Sequence, residues 1–185
     1  MKKESFTISM KSIVSSIRQN IRALVAPEHE LSMPRSTWST LVANLEQRSA
    51  GVRESGAFLL GRNLGHAREV LRFELYDDLE PGCLDSGYVS FSSAGYRELW
   101  KVLKETGLEV VADVHTHPAK AFFSRTDRTN PMMPTVGHLA FVVADYAQGT
   151  VRPNDVAFFR YLGNHEWTEH KPGNSGKKLY VGMWG

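Results

Sequence analysis

The chain has 185 residues, enough for one compact domain with a substantial core, and its 42% hydrophobic and 23% charged content is that of an ordinary soluble globular protein. A formal net charge of +2 leaves no strong electrostatic footprint for nucleic acid, and no apolar run approaches the roughly 18 to 20 residues that cross a bilayer. The sole cysteine, Cys83, excludes an internal disulfide and a four-thiolate metal site, so a reducing cytoplasm is the expected setting.

Residues 1–30 read as an N-terminal arm. Ile13, Ile17, Ile21 and Leu24 fall on one helical face, with Lys11, Arg18 and Arg22 elsewhere on the wheel. Polar residues break this stretch too often for a secretory signal. A helix packed on the domain or on a partner is the expectation, although basic amphipathic helices also lie in membrane interfaces. Pro27 and "EHELSMP" form the one plausible linker. The main domain is expected over 31–170. It starts with a helix carrying Trp38, Leu41, Val42 and Leu45 and stopping at Gly51.

"SGAFLLGRN" reads as a short buried strand, and "REVLRFELYDD" as a half-buried one with Leu71, Phe73 and Leu75 on its inner face. Residues 77–88 form a loop. Ser92 or Ser93 then caps a helix whose apolar face is Tyr96, Leu99, Trp100 and Leu103, and Gly107 ends it. "LEVVADVHTH" and "HLAFVVADY" follow as strands. "DVAFFRYL" and "HEWTEH" flank Gly163-Asn164, a hairpin signal. Residues 171–185 form a glycine-rich tail in which Tyr180 and Trp184 suggest docking. Strands interleaved with helices predict an α/β or α+β sheet flanked by helices.

The stretch "VVADVHTHPAKAFFSRTDRTNP", residues 110–131, carries the chemistry. On a strand, residues i and i+2 share a face, so His115 and His117 project together while Thr116 turns away, and Pro118 ends the strand. Two imidazoles held this way can share a metal ion. Ser124 and Asp127 lie three apart, on one side of a helical turn, from which Asp127 can return as a third ligand. Two imidazoles, one carboxylate and an open position make a catalytic zinc site, whose water becomes acidic near neutral pH. Ser124 is placed to donate to a developing oxyanion, and a general base is still required.

"HTHP" followed by "SRTD" resembles the signature of the JAMM (MPN+) metalloproteases, which cleave isopeptide or peptide bonds after ubiquitin-like proteins. The family's upstream glutamate, opening a short apolar strand that ends in glycine, is matched by "ESGAFLLG", residues 54–61. The resemblance spans roughly 35–165. It implies an α/β fold of the MPN (JAB) type, cytidine-deaminase-like, with a mixed central sheet. It further implies one Zn²⁺ held by His115, His117 and Asp127, a zinc-bound water as nucleophile, Glu54 as the base and Ser124 as oxyanion donor. Implied partners are a ubiquitin-like protein or its conjugates, with E1-like and E2-like enzymes of the same pathway, and neither nucleic acid nor membrane. The continuation "DRTNPMMPTVGHLAFVVADYA" is similar to bacterial members, some of which accompany ubiquitin-like conjugation genes, including antiphage operons. Six residues separate His117 from Ser124, one fewer than in eukaryotic members.

Two other functions fit the same sequence. One is a non-catalytic MPN scaffold, although such relatives usually lack a metal ligand. The other is a hydrolase of small peptides or amino-acid conjugates built on the same centre. Among the neighbours, Asp113 shares strand parity with the histidines and either orients a ligand imidazole or is a solvated or structurally bonded aspartate. His138 reads as a core or loop-anchoring residue with a possible supporting role, and Cys83 as a free, non-catalytic thiol. Phe122 and Phe123 belong either to the core or to a groove for an extended tail.

Overall fold

The computed structural model describes residues 29–65, 67–175 and 178–182. The predicted amphipathic arm and Trp184 lie outside the described residues. Eight strands make one mixed sheet in the order β7-β6-β5-β4-β2-β3-β1-β8. They are β1 (Leu31–Pro34), β2 (Gly56–Asn63), β3 (Arg68–Leu75), β4 (Glu109–Thr116), β5 (Leu139–Val143), β6 (Ala157–Gly163), β7 (Glu166–His170) and β8 (Leu179–Gly182). Helices α1 (Arg35–Ser49), α2 (Tyr76–Leu79), α3 (Ser93–Thr106) and α4 (Arg125–Thr129) lie between them. No described helix is long and apolar enough to cross a membrane.

Both faces of the central strands are covered, which is why β2 reads as an unbroken apolar run. Ala57 and Leu59 face the cluster under α1, with Trp38, Leu41, Leu45, Val114, Phe141 and Phe158. Phe58 and Leu60 face the other way, onto Tyr76, Leu79, Leu84 and Leu99 of the α2–α3 layer. On that same second face, Phe123, Ala140, Val142, Ala157 and Phe159 form a separate small cluster. The gap between these last two clusters is where the chemistry sits.

Several boundaries differ from the sequence expectation, each for a local reason. The expected linker contains β1, because Leu31 and Ser32 pair in parallel with Arg68 and Glu69 of β3 while residues 31–34 pair with β8. Residues 179–182, within the expected tail, are that edge strand. Helix α1 stops on Ala50, which takes the left-handed conformation (φ 49°) one residue before Gly51. In α3 the buried stripe runs through Gly95 and Leu99, and Trp100, a helical step around, is half exposed. The β6–β7 turn consists of Asn164 and His165, both at positive φ, while Gly163 closes β6 beyond a register shift after Tyr161.

The β3 pattern fails for a more informative reason. Leu60 pairs with Arg72 but Gly61 pairs with Val70, so Leu71 bulges out and is 39% exposed, and Val70 takes the inner place. A bulge flips side-chain parity and adds twist. β4 bulges at Val111 at the same level, and the Arg68 guanidinium fills the irregularity by donating to the Val111 and Gly137 carbonyls at 3.0 and 2.6 Å. The curl brings distant strands together: Arg160 of β6 pairs with Glu30, just before β1, although four strands separate β6 from β1 in the sheet. Lys178 holds the other oxygen of Glu30 at 2.6 Å.

Gly61 permits the bulge, since a Cβ there would lie 1.7 Å from the Glu69 carbonyl oxygen. Gly61→Ala is therefore expected to destabilise the fold by roughly 1–3 kcal/mol through overpacking against backbone. The midpoint of urea unfolding measures it; an unchanged midpoint would mean that the bulge is not required.

Candidate metal centre

Strand β4 pairs Asp113 with Ala140 and His115 with Val142, so beyond the bulge at Val111 the side chains of Asp113 and His115 point into the gap between the two second-face clusters. His117 follows the strand and keeps its parity. Its N–H donates to the Val143 carbonyl, and its own carbonyl accepts from the Tyr146 N–H, each at 2.9 Å. The second bond requires an unusual turn: Asp145, Tyr146 and Ala147 all adopt positive φ (51°, 56° and 63°). Such a run costs about 1–2 kcal/mol per residue. The buried Ser49 hydroxyl at the end of α1 reaches the Tyr146 carbonyl at 2.9 Å and helps fix the turn.

Thr116, turned away from the centre, is buried and anchors the opposite wall. Its Oγ1 accepts from the Ser55 N–H at 2.9 Å, and its N–H donates to the Ser55 carbonyl. Ser55 in turn donates its hydroxyl to Leu45 at the end of α1. The preceding residue, Glu54, is tied to Gly87 by its N–H, and its carboxylate lies 3.6 Å from His117 Nε2. Gly56 is paired with His115, where a Cβ would strike the Tyr76 ring and the Val114 carbonyl.

The third element is α4. Ser124 caps it, with Oγ accepting from the Asp127 N–H at 3.2 Å, while the Asp127 carboxylate accepts from the Ser124 N–H at 2.6 Å. This reciprocal capping box aims Asp127 at both histidines. His115 Nε2 and His117 Nε2 are 3.1 Å apart, and the two Asp127 oxygens lie 3.6 and 3.3 Å from them. All three donor atoms lie within 4.8 Å of one another. A tetrahedral ion with nitrogen and oxygen ligands at roughly 2.0–2.1 Å would set them about 3.3 Å apart. The observed separations straddle that value, so His115, His117 and Asp127 fit a metal ion, with Glu54 beside it.

The electrostatics agree. Burial alone would raise the Asp127 carboxyl, but the two imidazoles and the Ser124 hydrogen bond hold it well below the usual carboxylate range. Burial would lower His115, yet Asp127 wins and raises it. Burial raises Glu54, partly offset by the two imidazoles. The cluster attracts positive charge, as a cation site must.

The remaining sequence candidates fall into place around this centre. The Asp113 carboxylate is taken up by His138 Nε2 at 2.5 Å and, more loosely, by the Tyr76 hydroxyl at 3.4 Å. Asp113 is thus buried and hydrogen-bonded to His138 rather than solvated. Phe123 is core, stacked on Phe159 and over His115, whereas Phe122 is 47% exposed and meets His117 edge-on. Cys83 is buried and its thiol is pushed up to about 12 by that burial and by nearby acids, which makes it inert. Ser55, Thr116, Tyr146, Tyr76 and Trp167 were not singled out in the sequence. Only Thr116 carried a signal: a polar residue between two ligands, on the face that must be buried.

Residues 34–160 match the family described as prokaryotic homologs of the JAB domain. The chain is 33% identical over 67 residues to "Probable metalloprotease y4jG" of Sinorhizobium fredii, a stretch covering 36% of this chain and 41% of that protein. The chain thus spans less than half of that relative. Two solved structures share the fold at 17% identity. The solution structure of protein DSY2949 from Desulfitobacterium hafniense aligns with a TM-score of 0.56 over 82% of this chain and 92% of that one. A protein from Salinibacter ruber aligns with a TM-score of 0.52 over 76% and 87%.

Proposed function

Since the chain belongs to the family of prokaryotic JAB-domain homologs, we propose that it is a zinc-dependent isopeptidase or peptidase that cuts after the C-terminus of a ubiquitin-like protein. The observation that carries the hydrolase reading is the placement of the Glu54 carboxylate, 3.6 Å from His117, beside the His115–His117–Asp127 group. The "HTHP…SRTD" pattern supports the ubiquitin-like substrate, and with it E1-like and E2-like enzymes as pathway partners.

His115, His117 and Asp127 would hold the ion. When bound, it supplies Lewis acidity to water and to the substrate carbonyl. Glu54, half-buried beside them, takes the proton from the attacking water and returns it to the leaving amine. Ser124 Oγ accepts from the Asp127 N–H, which leaves its own hydrogen free to donate to the oxyanion.

The test is incubation of the purified full-length protein with a ubiquitin-like protein fused or conjugated at its C-terminus. Free modifier should appear, and a chelator should stop its release. Cleavage that survives complete metal removal refutes the mechanism.

Ser124→Ala is expected to keep the metal and slow turnover about 10²- to 10³-fold as an oxyanion donor is lost. The missing cap should cost about 1 kcal/mol of stability. Comparing kcat with the thermal midpoint separates the two: an unchanged kcat with a lowered midpoint would leave Ser124 as a cap alone.

A further inference from the structure

We propose that Trp167, on the edge strand β7, is a positioning residue for the metal ligand Asp127. It clamps α4, the helix that carries Asp127, and so raises the affinity of the centre for its ion. This rests on the proposed metal centre and extends it to a strand that supplies no ligand.

Helix α4 needs support from outside. None of its five residues is buried, so no apolar face anchors it. So short a helix also leaves most of its last carbonyls without partners inside it. Two are met locally: the Asn130 N–H donates to the Thr126 carbonyl at 2.8 Å, and the Thr129 hydroxyl to that of Arg125 at 3.0 Å. The Arg128 carbonyl, one residue beyond Asp127, is instead met from β7, where the Trp167 indole N–H donates to it at 3.2 Å. Glu169 lies two residues farther on, hence on the same face of β7, and its carboxylate accepts from the Arg128 guanidinium at 3.0 Å. Apart from those of the Asp127 carboxylate with the imidazoles, these are the hydrogen bonds that tie residues 124–131 to the rest of the described chain.

Trp167 is itself well fixed. It stands opposite Tyr161 across the β6–β7 ladder, with the two rings 4.8 Å apart. It also meets Phe123 edge-on at 4.8 Å. Phe123 lies over His115 and directly precedes Ser124, the cap of α4. One indole therefore packs on the residue before the helix and bonds to its last turn, with Asp127 between the two contacts. The Arg128–Glu169 pair sits on the partly exposed rim and contributes less, because solvent screens it. Without the indole bond, α4 is free to carry Asp127 away from the histidines, and an arriving ion must first reorder it. A hydrogen bond between neutral groups is worth about 3- to 10-fold in an equilibrium that depends on it.

The measurement is the zinc dissociation constant of the full-length protein, by competition with a chelating indicator. Trp167→Phe keeps a ring against Phe123 and Tyr161, changes no charge and lacks the N–H, so the constant should rise about 3- to 10-fold. Gly61→Ala, which loosens the fold at the bulge, should leave it unchanged. An unchanged constant in Trp167→Phe, or an equal rise in both variants, overturns the proposal. Should Trp167→Phe fail to fold, the wild-type protein decides. Coupling is reciprocal, so bound zinc must tighten the indole bond by the same factor. Trp38 donates its own indole N–H to the Val151 carbonyl at 3.2 Å, in the core of the other face, and reports general stabilisation. On zinc loading, deuterium exchange at the Trp167 indole should slow about 3- to 10-fold more than at Trp38; a gain no larger than that of Trp38 overturns the proposal. Neither readout needs turnover. A wild-type protein that takes up no zinc would sink the metal centre and the clamp together, whereas tight zinc binding indifferent to Trp167→Phe would sink the clamp alone.

Discussion

Asp127→Ala is expected to leave the purified protein without stoichiometric metal and without hydrolytic activity. Asp127 offers the only carboxylate in the ligand group and reaches both imidazoles, at 3.6 and 3.3 Å. Removing it leaves two ligands for an ion that needs at least three from protein. Loss of a mere supporting partner costs about 10- to 100-fold in metal affinity, so losing a ligand must cost more. The side chain also accepts from the Ser124 N–H, which makes stability a necessary control. A melt lowered by only about 1 kcal/mol, the value of a cap, alongside lost metal would isolate ligation as the cause. His115→Ala should behave in the same way without touching the cap. Stoichiometric metal retained in both variants would show that the ion sits elsewhere.

Glu54→Gln is expected to separate metal from rate. The amide keeps the shape of the side chain but cannot take a proton, and Glu54 stands outside the ligand group. Metal content should therefore be unchanged while turnover falls about 10²- to 10⁴-fold. If metal disappears as well, Glu54 is a ligand and the assignment of roles is wrong. If both survive, the base is another residue.

How much of this was legible in the sequence depends on how local each signal is. The ligand group was, because strand parity and a three-residue helical spacing are rules of near neighbours: His115, His117 and Asp127 obey them within thirteen residues. Glu54 lies more than sixty residues away and was found only through a family resemblance. What brings it in is the Ser55–Thr116 bonding, a tertiary fact without periodicity. Leu71 was misplaced because a bulge is set by pairing between strands, and only Gly61 hints at it. The strand at 31–34 was read as a linker because so short a strand, paired in parallel along β8 and for two residues along β3, needs no alternation. The turn at Asp145–Ala147 contains neither glycine nor asparagine, and only Asp145 is of a type that visits the left-handed region, so its composition barely announces three successive positive φ values.

That turn bears on how the protein should lose activity on warming. Three L-residues wound against their preferred hand stay so only while the ends of β4 and β5 remain zipped, and relaxing them withdraws the Tyr146 amide from His117. This corner of the sheet is a spring held shut by its neighbours. Heat inactivation and metal release are expected to begin below the temperature at which the domain as a whole unfolds.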